Sequence, residues 1–378
     1  MNLYIKLSLL GPILFMGIIQ MILPKMGSKG TLMGVDLPKK EQEVDEIKHI
    51  IRTFQILVLL TTLATAGFLW FFLPVSTENK FVGMFLIILV LFMIIQQGIL
   101  IWVNKKLIVY KKSQNIKISG VDKKVVSMEL TKKPYKVERF SMKLYWIPVL
   151  FVIAFGIITI IQYPKIPSQI PTHYGINGPD AWTEKNIFTV FIPIILGFIQ
   201  VFIFYIVHRF FLREKKSLNP NLSEESYIRW KISRRYWSYY YFFIAMGTVI
   251  TLLYPHLWGI GLLEVTKKTI LIYNLIIGIF IALLILVSII LGIKVGNTGS
   301  RLNLPFGEED DAFEDEDDYW YLGGTVYYNP DDPAMIIPKR VGIGTTINAG
   351  TRAGKIVYAI TVIVLLGLFV YGLYLYFI

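Results

Sequence analysis

Long apolar blocks divided by polar connections set the pattern of this 378-residue chain. A bilayer core of roughly 30 Å takes about 20 helical residues at about 1.5 Å each. Eight blocks approach or reach that length: Leu3–Leu23, Phe54–Leu73, Val82–Val103, Leu144–Ile161, Ile187–Val207, Tyr239–Tyr254, Ile270–Ile293 and Ile356–Ile378. Tyr239–Tyr254 is the shortest. None shows the period-two alternation of a barrel strand, so each is expected to be a helix. The pattern predicts an all-α polytopic membrane protein of about eight transmembrane helices, with a small β-rich cytoplasmic domain between the last two.

The polar connections divide the chain further. Residues 1–143 read as a three-span unit ending in a basic loop, and 144–207 as a two-span unit around the connection 163–186. Residues 208–293 hold a basic linker with spans six and seven, 294–355 an acidic linker with the β-rich domain, and 356–378 the last span. Lys39–Arg52 reads as an amphipathic helix entering span two, with Glu43, Glu46 and Lys48 on its wet face. Lys105–Lys143 carries short Val/Ile/Leu runs that suit a small hairpin. Arg209–Ser238 reads as a helix-like linker ending in Trp237, Tyr239, Tyr240 and Tyr241, the residue types of an interfacial anchor. Farther on, Glu308–Asp318 packs nine carboxylates into one run. That run reads as a solvated tether, or as a segment that docks on basic loops of the same chain or on a basic partner. The aromatic and β-branched stretches after it, divided by Asn329-Pro330-Asp331-Asp332-Pro333, predict two or three short strands.

A net charge of +12 invites a nucleic-acid reading, and the positions of the charges remove it. The connections after spans one, three, five and seven carry six, twelve, eight and six Lys/Arg, against one, two and two after spans two, four and six. That asymmetry places the odd connections in the cytoplasm, and both termini and the 163–186 connection outside. Basic excess beside anionic headgroups accounts for the charge. The first span lacks a basic n-region and a small-residue cleavage site, so it reads as a retained helix. With no cysteine in the chain, disulfides, thiol catalysis and thiolate metal sites are excluded.

Chemistry within the spans is sparse. No ionisable residue falls near the centre of any block, which disfavours proton-coupled transport. The polar residues there are Gln96, Gln97, Gln200 and Asn274, read as interhelical hydrogen-bonding groups or as the lining of a solute path. The richest connection is Pro164–Asn186, whose four prolines and two glycines exclude a helix and give a stiff loop. It offers His173, Asp180, Glu184 and Lys185, and the next outward connection adds His256 and Glu264. Asp180 after Gly178-Pro179 suits a turn or a cap, and Glu184 and Lys185 suit interfacial charges. The same residues suit a binding surface. Acid–base or metal chemistry has residue types but no spacing such as His-Glu-x-x-His, so no metal and no cofactor are expected. Pro148 and Pro193 offer bending points in the flanking spans. Gly342-Ile343-Gly344 is half of a phosphate-loop pattern, with no helix start and no Lys-Ser/Thr after it.

Ile166-Pro167, Ile170-Pro171-Thr172-His173-Tyr174-Gly175 and Asn177-Gly178-Pro179-Asp180, with Lys185 a few residues on, resemble the signature of a membrane domain of unknown function. That domain occurs in the SdpI-like bacterial membrane proteins, which confer immunity to a secreted toxin. Gly34-Val35-Asp36-Leu37-Pro38 resembles a second short motif of such proteins. Within Asp318–Ala349, Tyr327–Pro333, Lys339–Gly344 and Ile347-Asn348 resemble an uncharacterised domain near the carboxyl end of longer relatives. The resemblance implies a non-enzymatic protein of the cell (cytoplasmic) membrane, of the immunity or signal-receptor kind. It would recognise an extracytoplasmic peptide or envelope component and hold a cytoplasmic regulator, without binding nucleic acid itself. Its candidate ligand contacts are Pro171, His173, Tyr174, Asn177, Gly178, Asp180, Trp182 and Lys185. The alternatives are a permease of a small or amphipathic solute, built on the four intramembrane amides, and a membrane enzyme using His173, Asp180, Glu184 and His256.

Overall fold

A computed structural model describes residues 3–26, 28–72, 78–118, 139–175, 178–214, 223–302, 304 and 315–377. In chain order its elements are α1 (Leu3–Ile22), β1 (Thr31–Leu32), β2 (Val35–Asp36), α2 (Lys39–Gln42), α3 (Asp45–Phe72), α4 (Glu78–Ser113), α5 (Trp146–Gln162), β3 (Gln169–Gly175), β4 (Gly178–Glu184), α6 (Ile187–Phe211), α7 (Ser223–Gly259), α8 (Lys267–Lys294), β5 (Trp320–Tyr321), β6 (Val326–Tyr327), β7 (Ile336–Pro338), β8 (Thr345–Ile347) and α9 (Arg352–Phe377). Among the described residues seven helices, α3 to α9, are long and apolar enough to cross a membrane. The expected count of eight is therefore not reached: α1 is helical, but its described apolar stretch, Leu10–Lys25, is shorter. This is a multi-pass membrane architecture with short antiparallel strand pairs added to it.

Several connections are more helical than the composition suggested. Lys105–Ser113 continues α4, while the rest of the expected 105–143 hairpin falls largely outside the described residues. The Lys39–Arg52 helix is broken at Glu43-Val44 into α2 and the start of α3, and Ile47 on α3 is buried while Glu46 and Lys48 are exposed. The expected break after Tyr254 is also missing. Pro255 is accommodated near the end of α7, which runs on to Gly259. Pro148 falls in the first turn of α5, where proline interrupts no intrahelical hydrogen bond, so it is no bending point; Pro193 does lie inside α6.

The chain packs as two units. One comprises residues 1–135, 214–230 and 292–378, the other 136–213 and 231–291. In the first, the faces of α3 and α4 close around Leu32, Val35, Leu37, Ile47, Phe54, Leu100, Val103 and Val341. The β1–β2 hairpin turns through Met33 and Gly34, both at positive φ (47° and 83°), as a two-residue turn of the tightly twisted kind requires. Gly34 meets Gly324 of the β5–β6 turn so closely that a Cβ on Gly34 would lie 2.7 Å from the Gly324 Cα. Asn348, fully buried, ties the remaining loops together. Its Nδ2 donates to the carbonyls of Asn329, Asp332 and Ala334, and its Oδ1 accepts from the backbone of Asn329 and Gly350. Four short strands in two pairs, β5–β6 and β7–β8, replace the two or three expected.

In the second unit, Val152 of α5, Ile194 and Val201 of α6 and Phe242, Ala245, Val249 and Leu253 of α7 form the core. Three residues of the aromatic cluster expected to anchor at the membrane surface contribute to packing, while Tyr239 is exposed. Trp237 is buried, Tyr240 donates to the Leu284 carbonyl at 3.1 Å, and Tyr241 stacks on His208.

Candidate functional site

The Pro164–Asn186 connection is not a loop but a β-hairpin, β3 paired antiparallel with β4. Prolines at 171 and 179 fit because a two-stranded ribbon has only edge strands, where a missing N–H costs no inner ladder bond. Pairing runs from Gln169↔Glu184 to Gly175↔Gly178, with two interruptions. Thr172 is passed over on β3 between Pro171↔Trp182 and His173↔Ala181, and Asp180 is passed over on β4 before Tyr174↔Pro179. One bulge on each strand restores the register and re-aims the side chains beside it.

Those bulges bring together two residues that the sequence offered separately. His173 Nδ1 lies 2.5 Å from Asp180 Oδ1. A carboxylate only accepts, so Nδ1 carries the hydrogen and Nε2 is left for another partner. Gly175 is part of the arrangement: a Cβ there would come within 2.5 Å of Asp180 Oδ2. The pair is open to its surroundings, at 70% and 52% side-chain exposure, with Trp182 at 54%.

One face of the hairpin is fixed where the other is open. Ile166 and Ile170 are buried with Val190 and Ile260. Tyr174 sets its ring edge-on to Trp258 at 5.1 Å and its hydroxyl 3.4 Å from the Pro255 carbonyl. Burial pushes its phenol up to about 12. Lys185 is spent internally, donating to the Ile166 carbonyl at 3.0 Å and lying over the Tyr163 ring. Asn186 and Thr189 cap α6 reciprocally. Of the expected ligand contacts, Tyr174 and Lys185 thus hold the hairpin in place. His173, Asp180 and Trp182 face outward, Pro171 and Gly178 are half-buried in the strands, and Asn177 lies outside the described residues.

The intramembrane amides disperse. Gln96 is buried, its Nε2 donating to Thr61 Oγ1 at 3.1 Å and its backbone carbonyl accepting from Gln20, while its Oε1 has no partner among the described residues. Gln97 reaches the Leu322 carbonyl at 2.7 Å, so this part of α4 packs on the β5–β6 turn. Gln200 is half-buried and Asn274 exposed, neither with a hydrogen-bond partner among the described residues. His256, expected in an outward connection, is buried within α7 and shares a 2.8 Å hydrogen bond with Thr159. It is unavailable to the surface chemistry considered for it.

Sequence reading missed a second constellation, in the first unit. Arg340 Nη2 binds Asp36 Oδ2 at 2.6 Å, and its Nη1 binds Asp317 Oδ1 at 2.7 Å. Lys111 bridges Asp315 and Asp317 at 2.8 and 2.6 Å. The Asp36 backbone N–H donates to Asp317, and the Glu316 N–H donates back to Asp36. Burial raises the Asp36 carboxyl to about 6, against the pull of Arg340. Asp36, Asp315 and Asp317 each offer an oxygen within 4.8 Å of the others, a separation that suits a cation. Lys111 and Arg340 already supply that positive charge. The described end of the acidic run therefore docks on basic residues of its own chain; residues 308–314 lie outside the described residues. The available signal was an unmatched acid in the Gly34–Pro38 motif and an unmatched base in the Lys339–Gly344 motif.

Two family models match the chain. Residues 149–197 match a domain of unknown function, DUF1648, and residues 330–355 match a family of unknown function, DUF5808. The first includes the whole hairpin and the second includes Arg340 and Asn348. The first domain is found in SdpI-like proteins, in agreement with the resemblance at the level of the domain. No curated protein and no solved structure matches the chain.

Proposed function

We propose that this protein is a bacterial membrane receptor of the immunity or signalling kind, whose β3–β4 hairpin recognises an extracytoplasmic peptide or envelope component. One observation carries the reading: a paired but exposed His173 and Asp180, beside an exposed Trp182, stand on the open face of a hairpin whose other face is packed through Ile170 and Tyr174 and which is capped at Asn186. A hairpin packed on one face, with an open and chemically varied second face, is the form that recognition needs, since little ordering cost remains on binding. Free strand edges also accept an extended peptide. The charge asymmetry of the connections supports placing the hairpin outside. The first unit, with its buried ion network, would report or retain a cytoplasmic regulator. The permease reading has less support, because the Gln96 and Gln97 Nε2 groups donate to local partners and Asn274 is exposed.

Two experiments test this. In cells challenged with the secreted toxin peptide, His173→Ala with Asp180→Ala should abolish survival and reporter induction while leaving protein levels unchanged; unchanged survival and induction would remove the main support. The chain has no cysteine, so Trp182→Cys creates a single thiol. A membrane-impermeant maleimide should label it in intact cells, and labelling only after lysis would place the hairpin on the wrong side.

A further inference from the structure

Within the first unit, the turn between β5 and β6 comes down on the side of a membrane-length helix. Leu322, Gly323 and Gly324 in that turn all have positive φ (47°, 72° and 78°). A Cβ on Gly323 would lie 3.1 Å from the Leu100 carbonyl and the Ile101 nitrogen of α4, so the turn touches the helix backbone where only glycine fits easily. One helical turn back, Gln97 Nε2 donates to the Leu322 carbonyl at 2.7 Å. These contacts fall near the end of the apolar run Val82–Val103, which Asn104-Lys105-Lys106 closes. At about 1.5 Å per residue, the turn meets α4 roughly 3–9 Å before that run ends.

The turn has the make-up of a segment that leaves water. Tyr319–Tyr328 contains no charged residue, although nine carboxylates crowd into Glu308–Asp318 just before it. Tyr321, Leu322 and Tyr328 are exposed, and so is Ile94, one turn beyond Gln97 on the same face of α4. The exposed side chains therefore continue an apolar surface that already faces lipid. The backbone of the turn is closed on itself. The Leu322 carbonyl accepts from Thr325 Oγ1 as well as Gln97, and the Tyr321 carbonyl accepts from the Gly324 and Thr325 N–H groups. Such closure is needed where backbone enters an apolar layer, and is optional in water. Leucine at φ 47° is strained, since exposed turns usually place glycine or asparagine there. Transfer of its side chain out of water offsets that strain.

We propose that the β5–β6 turn is an interfacial membrane anchor. Leu322 enters the upper acyl layer, and Tyr321 and Tyr328 lie among the headgroups of the leaflet from which the Ser113 end of α4 emerges. Tyrosine suits that layer because its ring is apolar and its hydroxyl wet. The occupant of the exposed patch is the lipid surface itself, and Gln97 is the tether that holds the turn at the right depth.

The absence of cysteine makes the test direct. Leu322→Cys and Lys112→Cys each carry an environment-sensitive dye on the full-length protein in phosphatidylcholine–phosphatidylglycerol vesicles. Lys112 is exposed near the end of α4, roughly 16 Å beyond Ile101 along the helix. The dye at 322 should emit to the blue of the dye at 112. It should lose most of its intensity to a lipid bearing a nitroxide near the head of its acyl chain, and little to aqueous iodide. The dye at 112 should show the reverse order. Adding Gln97→Leu should raise the iodide quenching at 322 and leave that at 112 unchanged. Tyr321→Cys supplies a second site if Leu322→Cys lowers the melting temperature, and its dye should also be shielded from iodide. Equal iodide quenching at 322 and 112, or no quenching at 322 by the nitroxide lipid, would overturn the proposal. Equal lipid quenching at both sites would show insertion by the dye alone and would also overturn it.

Discussion

Two carboxylate contacts of nearly equal length have opposite surroundings. Asp180 meets His173 at 2.5 Å in the open, and Asp36 meets Arg340 at 2.6 Å with side chains only 5% and 10% exposed. The buried pair is woven into backbone N–H groups and two further carboxylates, so its charges have nowhere else to go. The exposed pair is held only by two bulges and a glycine. Distance alone therefore says little about role. Burial makes the first a structural fastening of the 36, 317 and 340 segments, and exposure leaves the second free to meet a ligand.

Breaking the buried pair should have the largest effect. Arg340→Met leaves Asp36 and Asp317 without their guanidinium, and should cost about 3–5 kcal/mol. Thermal unfolding or limited proteolysis in detergent reads the loss. A cost below 1 kcal/mol would equate this pair with the exposed one.

The pH dependence comes next. A carboxyl raised to about 6 in the folded chain binds a proton more tightly there than when unfolded. Its stabilising contribution is then complete below about 4 and is lost as pH rises through 6. The swing is on the order of 2–3 kcal/mol. Asp36→Asn should flatten the stability profile across that window.

A third change tests the frame around the buried network. A Cβ on Gly83 of α4 would fall 2.5 Å from the Gly372 carbonyl of α9. Gly83→Leu must therefore push these helices apart, at a cost of about 1–3 kcal/mol. A smaller melting shift than that of Arg340→Met is expected. The smallest effect should come from His173→Ala with Asp180→Ala, within about 1 kcal/mol because exposed pairs contribute little. A large destabilisation would make the exposed face of the hairpin structural and remove the contrast.

The helices were legible because an apolar run of membrane length has few other uses, and seven of the eight blocks became long helices. Their ends were less legible. Gln97 sits in an apolar run but donates to Leu322, since α4 continues out to Ser113 alongside the β5–β6 turn. Likewise the sixth apolar block stopped at Tyr254, yet α7 runs on through Pro255 to Gly259, and this placed His256 in the interior. Pro171 and Pro179 hid the hairpin, since prolines argue against strands unless every strand is an edge. Docking of the acidic run on basic residues of the chain was among the readings the sequence offered, but the Asp36–Arg340 pair was not legible, because 304 residues separate the two. Only the motifs carrying each partner stood out.

On the proposed reading the exposed face of the hairpin, and not its packed face, makes contact outside the cell. A photo-cross-linking amino acid in place of Trp182, activated in intact cells, tests it most directly. The account predicts a discrete adduct with a peptide or envelope component that disappears in the His173→Ala, Asp180→Ala background while the melting temperature stays within a few degrees. An adduct of equal yield in both backgrounds, or cross-linking to lipid alone, would contradict it.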